Sequence, residues 1–159
     1  MNIGNNLNYN DIICAISTAP GMGAIAVVRL SGTGSIALVD NIFQSPINKK
    51  LINQKPYTVH FGKIMDNQAV LDEVLVTVFH APHSFTGEES VEIACHGSLY
   101  IQQKLMEVLI HAGARMAEAG EYTRRAFANG KFDLSQAEAV ADLIAATSAS
   151  SHKVSLNQM

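Results

Sequence analysis

The sequence offers little to a metal or a disulfide framework, since it holds only two cysteines, Cys14 and Cys95. They read as reduced thiols of a cytoplasmic protein. A positive excess is missing too. Eleven lysines and arginines stand against fourteen acids, for a net charge of −3, which excludes a general basic field for nucleic acid. Any RNA contact is therefore local or made elsewhere. No apolar run is long enough to span a bilayer. No basic segment leads into an apolar run, so no secretory leader is expected. Repeats and low-complexity segments are absent. What remains is a chain of 159 residues, 48% hydrophobic and 16% charged. That describes one globular domain, or one domain and part of another.

The rest can be organised around residues 87–98, GEESVEIACHGS. Alternation predicts a strand in which Val91, Ile93 and Cys95 share one face and Glu92, Ala94 and His96 the other. Gly97-Ser98 breaks the strand and opens an amphipathic helix, whose first backbone N–H groups are expected to be free. A carboxylate beside the small Ala94 suits a flat polar ligand.

Residues 11–18 carry the run Ile12 to Ile16, a buried strand, and 19–23 form a turn around Pro20 and Gly21. A second strand covers 24–30. Ile25, Val27 and Arg29 share its face, so an arginine ends an apolar row. Loop 31–34 carries helix-capping residues, and Ile36, Val39, Ile42 and Phe43 then predict a short helix. Residues 44–55 are a polar surface loop. Residues 57–65 and 70–79 predict a hairpin joined through 66–69. Its second arm is apolar on both faces from Val74 to Phe79, which predicts a central strand. Loop 81–87 leads into the strand at Val91.

The helix after Ser98 presents Ile101, Leu105, Val108, Leu109 and Ala112 on one face and stops at Gly113. A short strand at 114–118 and a short helix at 121–129 follow. Asp133 and Gln136 have the form of a capping box. The helix they open is apolar on more than one side, through Leu134, Val140 and Leu143. A lone helix does not carry so wide an apolar surface, so a helical domain is expected to continue beyond it. The predicted class is α+β: a mixed, mainly antiparallel sheet with two packed helices, followed by the start of an all-α helical domain.

Glu92 is the first candidate for chemistry. It reads either as a solvated residue on an open face or as a half-buried carboxylate in need of donors. An amino-pyrimidinone ring, as in guanine or a pterin, offers two parallel N–H donors along one edge, which a carboxylate accepts as it accepts arginine. Arg29 is either a strand-end side chain reaching for water or a cation for an anionic group. Lys131 lies between two helices and reads as an ordinary exposed lysine.

Two phosphate-binding patterns fail. Gly130-Lys131-Phe132 lacks the leading glycine of a P-loop, where Arg125 stands, and its hydroxyl residue, where Phe132 stands. Gly21 to Ala26 fits a loose dinucleotide pattern but opens a strand instead of a helix. Cys95 and His96 are strand neighbours on opposite faces and cannot pair. His80 and His83 have no ligand-like spacing to them, so no metal site is expected. Cys95 reads as a small core residue. No nucleophile with a partnered base is legible, and no catalytic residue is assigned.

Three segments carry a resemblance: Pro20 to Gly32 (PGMGAIAVVRLSG), Ala81 to Gly97 (APHSFTGEESVEIACHG) and Gly120 to Ile144. Together they resemble the tRNA-modification GTPases of the MnmE (TrmE) family, in order and over most of the chain. The resemblance implies that residues 1–119 bind a tetrahydrofolate one-carbon carrier, 5-formyltetrahydrofolate or another tetrahydrofolate derivative, and form a homodimer. It implies folate contacts at Arg29, Glu92 and Lys131. Residues 120–159 would begin the central helical domain, into which the family inserts its GTPase domain. GTP, Mg²⁺ and K⁺ are expected there, so this chain alone is expected to be inactive. With the flavin-dependent partner MnmG (GidA), the family modifies the wobble uridine of tRNA to the 5-carboxymethylaminomethyl type. The location implied is cytoplasmic, with no membrane partner. Met22, Ser98 and Ala119 depart from the family's usual arginine, glycine and proline. The alternatives are an aminomethyltransferase-like one-carbon transferase domain and a dimerisation scaffold without ligand.

Overall fold

The computed structural model describes residues 10–133 together with 135, 136, 138 and 139. The described residues open with β1 (Ile13–Ile16) and β2 (Ile25–Ser31), then α1 (Ser35–Asp40), the two-residue β3 (Phe43–Gln44) and a 3₁₀ turn (Leu51–Asn53). The hairpin of β4 (Thr58–Asp66) and β5 (Ala69–Phe79) leads to β6 (Ser90–His96), α2 (Leu99–His111), β7 (Arg115–Met116) and α3 (Glu121–Ala128). One seven-stranded sheet results, in the order β3-β4-β5-β6-β2-β1-β7. Its neighbours are antiparallel, apart from the parallel pair of β1 with β7. The fold is thus α+β, with a mixed and mostly antiparallel sheet.

Alternation decides which face of the sheet is dry. Val91, Ile93 and Cys95 of β6 are buried with Val28 and Leu30 of β2 and with Val74, Val76 and Val78 of β5. Ile36 and Val39 of α1 and Leu105, Met106 and Leu109 of α2 join the same core. Both helices therefore cover one face. Of the residues read for α2, Leu105 and Leu109 are buried, Ile101 and Val108 half-buried and Ala112 exposed, and Gln102 and Met106 complete the buried stripe. The turn of the β4–β5 hairpin is two residues, Asn67 and Gln68, with Asn67 at φ 55°. Asparagine is among the few side chains that adopt this left-handed conformation readily. Among the described residues, no helix is long and apolar enough to cross a membrane.

Four local expectations change. Ile42 and Phe43 lie beyond α1. Phe43 instead opens β3 opposite Ile64, with its ring over Gly62, where an added Cβ would stand 2.3 Å from it. Only a glycine in β4 leaves that space. The cap of α1 comes from a distance: the Ile36 N–H donates to Glu89 Oε1 at 2.8 Å, and Gly34 supplies no side chain. One of the N–H groups expected to be free at the start of α2 is taken, since the Ile101 N–H donates to Ser98 Oγ. β5 is central, but only one of its faces is covered, and Leu75 on the other is 47% exposed. The box at Asp133 is reciprocal: Asp133 N–H donates to Gln136 Oε1, and Gln136 N–H to Asp133 Oδ1. Leu134 and Val140 to Met159, which bear on the continuing helix, lie outside the described residues.

Candidate functional site

The register of β2 against β6 sets Arg29 directly opposite Glu92 on the uncovered face. Arg29 Nε and Nη2 both donate to Glu92 Oε1, at 3.1 and 3.0 Å. The two side chains are 28% and 30% exposed, so the pair is neither dry nor fully solvated. Ala15 of β1 and Thr77 of β5 continue the row on either side, and Ala94 follows Glu92 on its own strand. These small neighbours leave room above the pair.

Aromatic rings wall the arginine side. The Arg29 guanidinium lies 5.4 Å from the ring centre of Phe85 and 5.9 Å from that of Tyr122. Tyr122 donates its hydroxyl to the Arg29 backbone carbonyl at 2.6 Å. Burial drives the Tyr122 phenol far above its ordinary range. Phe85 meets Phe132 edge to face, centroids 5.3 Å apart.

Lys131 reaches this assembly through loop 81–87. Its ammonium donates to the Pro82 carbonyl at 3.3 Å. Gly87 sits at φ 80°, and a Cβ there would stand 3.0 Å from Asn129 Cβ and 3.2 Å from Lys131 Cγ. Asn129 in turn donates to the Thr86 carbonyl. The structure thus brings Arg29 and Glu92 into contact. It links Lys131 to them through Phe85 and Phe132, with no direct bond among the described residues.

An ion cluster under the same loop holds α3 in place. Arg125 is fully buried and donates to Glu121, Glu88 and Asp11, and to the Asp11 carbonyl. Arg115 bridges Asp11 and Glu121. Burial pushes the Glu121 carboxyl up, but hydrogen bonds from Arg115 and the Glu118 N–H outweigh it and leave the group at about 2. The Arg115 hydrogen bond likewise holds Asp11 below its ordinary value, against burial. Glu88 goes the other way, raised by burial despite Arg125.

Sequence reasoning missed Phe85, Tyr122, Phe132 and the Arg125 cluster as parts of this assembly. No local signal says that they converge, because the contacts come from strand register and loop path. It also missed a partner for His96: Asp72 Oδ1 lies 2.7 Å from His96 Nδ1 and Asp72 Oδ2 accepts the His96 N–H. Cys14 and Cys95 are buried thiols pushed up to about 11 by desolvation. Neither is a thiolate at neutral pH.

Beyond the ion pair, the same face is apolar. Register aligns Phe61, Leu75, Ala94 and Val27 in a row across four strands, and Ile25 stands beside them. Ile25 and Phe61 are 67% and 51% exposed.

The family profile described as "GTP-binding protein TrmE N-terminus" matches residues 12–131. A protein of Parabacteroides distasonis named tRNA modification GTPase MnmE is 58% identical over 149 residues, which are 92% of this chain and 32% of that protein. The protein of that name from Bacteroides thetaiotaomicron is 58% identical over 150 residues, 94% of this chain and 32% of the relative. In Flavobacterium johnsoniae the identity is 54% over 149 residues, again 94% and 32%. The chain spans about a third of the length of these curated relatives. The match over residues 12–131 and the relatives' agreement in name mean that the chain belongs to the TrmE family, as its N-terminal part.

Proposed function

We propose that this chain is the folate-binding, dimerising part of a cytoplasmic tRNA-modification GTPase. In this reading the whole protein hydrolyses GTP with Mg²⁺ and K⁺. It works with the flavin-dependent partner MnmG on the wobble uridine of tRNA, and this chain alone does neither step.

The observation that supports the reading best is the placement of Glu92. It faces Arg29 on the open side of the sheet, beside Phe85 and Tyr122. Arg29 occupies Glu92 Oε1 alone. Glu92 Oε2 is therefore left to accept an N–H from a pterin edge, with the carboxylate held in orientation by the arginine. Phe85, Tyr122 and Phe132 offer flat walls to a fused ring. Lys131 is exposed and bonded to one carbonyl, so it can turn toward the carboxylates of a folate's glutamate tail. When bound, the folate would supply a one-carbon unit, and the residues here bind and orient it.

The apolar row through Phe61, Leu75 and Val27 is the surface a second copy would cover. A two-fold pairing buries the same row on both partners.

Calorimetric titration of 5-formyltetrahydrofolate into the chain tests the reading. Saturable binding is expected. Glu92→Ala should weaken it about 10- to 100-fold, the worth of a charge-assisted hydrogen bond. Lys131→Ala, which removes an exposed charge, should cost only a few-fold. A folded dimer that takes up no folate would leave the scaffold reading standing. Carbon transfer to an amine by the chain itself would favour the aminomethyltransferase reading.

A further inference from the structure

Four of the eleven cations, Lys49, Lys50, Lys55 and Lys63, fall within residues 41–65, a segment that contains no aspartate or glutamate. The chain as a whole is negative, so this is a local concentration of charge. All four lysines are exposed. Among the described residues, none of them forms an ion pair. Glu73 lies opposite Lys63 in the strand register without closing a salt bridge. Solvated lysines with no internal partner keep their full charge available to an outside anion.

The fold gathers these cations along one edge of the sheet. β3 is the edge strand, and Gln44 sits opposite Lys63 of β4. Two adjoining clefts of about 230 and 270 Å³ flank Gln44, Ser45 and Asn48. Lys49 and Lys50 line the first, and Lys63 lines the second. Two amide side chains therefore stand between cations on either side. That is a donor set for phosphate oxygens, with lysines as point charges and amides giving direction. From Thr58, whose hydroxyl bonds the Lys55 carbonyl, to Lys63 the strand runs five steps, about 17 Å. An edge of that length can run beside several successive phosphates.

We propose that this β3–β4 edge is a contact for the phosphate backbone of RNA. The inference rests on reading the chain as part of a tRNA-modifying protein, and adds a surface by which this part would touch that substrate. The Arg29–Glu92 pair takes no part in it. Ile47 and Ile52 stand exposed among the lysines, so an anionic lipid surface is the competing occupant. The amides inside the clefts favour a ligand that enters them over one that lies flat.

Fluorescence anisotropy of a labelled tRNA transcript, titrated with the full chain between about 50 and 200 mM salt, tests the proposal. Sequence-independent binding is expected, with a dissociation constant of about 10⁻⁶–10⁻⁴ M. In Lys49→Gln/Lys50→Gln/Lys63→Gln, the slope of log affinity against log salt should become shallower by about 3, one per lost phosphate contact. All three positions are exposed, so the variant should melt at the wild-type temperature. An unchanged slope overturns the proposal, and so does the absence of tRNA binding. Lysine-dependent binding to phosphatidylserine vesicles in place of tRNA overturns it too. The triple variant should keep the 5-formyltetrahydrofolate affinity of the parent. Loss of folate binding by the parent chain, with tRNA binding intact, would instead strike the folate assignment.

Discussion

At position 125 a guanidinium with no solvent exposure answers Asp11, Glu88 and Glu121 at once. Its chain neighbour Arg124 lies at the surface, where it pairs with the exposed Glu118 and donates to the Ala119 carbonyl. The two arginines should therefore respond very differently to truncation. Arg125→Ala takes the guanidinium from Glu88 and leaves Asp11 and Glu121 with Arg115 alone, and should cost about 3–5 kcal/mol. Arg124→Ala should cost less than about 1 kcal/mol. Urea unfolding of both variants checks this, and equal losses would contradict the account of the cluster. Nothing in the sequence distinguishes the two residues. Burial of a charge depends on where its partners come from, and Asp11 lies 114 residues away in the chain. The pair of Arg29 and Glu92 shows the same limit. Their outward direction is legible from the alternation of two strands. That they stand opposite each other is a matter of register across 63 residues, and no local pattern carries it.

Elements built from local periodicity were the legible ones. The apolar face of α2, its stop at Gly113 and the alternation of β6 each depend on neighbours a few residues apart. β3 was not legible, because it exists only through the space left by Gly62 on the next strand. α2 also carries a cap at Ser98, where the resemblance implies glycine. Ser98 Oγ accepts the Ile101 N–H at 3.2 Å. Ser98→Ala should cost about 1 kcal/mol, whereas Ser98→Gly should cost only a few tenths, as thermal melts would record. The docking of α3 should depend on pH. Glu121 has a carboxyl at about 2, below its ordinary 4.5. Its stabilising contribution is complete above 4.5 and is lost as pH falls toward 2. Asp11, also lowered, acts with the same sign. Glu88, raised, opposes them. Unfolding free energy should thus decline on acidification across that window, and Arg115→Gln should flatten the decline. A profile as steep in the variant as in the parent would refute the role given to Arg115.

For the whole molecule, one uncovered face of the sheet has two proposed tasks. Glu92 and Arg29 form one row of it, and Phe61, Leu75, Ala94 and Val27 form the next, about two residues along each strand. An apolar row open to water has a cost that a second copy would remove, at roughly 25 cal/mol for each Å² covered. A charge introduced into the row would be buried without a partner on both sides of a two-fold contact, so its effect should be doubled. Leu75→Glu is the informative change, because Leu75 is 47% exposed and makes little of the core. Light scattering should report a dimer for the parent and a monomer for Leu75→Glu, with thermal stability of the monomeric fold otherwise kept. Glu92→Ala should leave the dimer intact while weakening folate binding, since it alters the neighbouring row only. Because the two rows adjoin, folate at a concentration that fills the parent but not Glu92→Ala should also tighten the parent dimer and leave that of the variant unchanged, by linkage of binding to association. A parent chain that scatters as a monomer at all concentrations would separate the two tasks and leave the apolar row without an occupant.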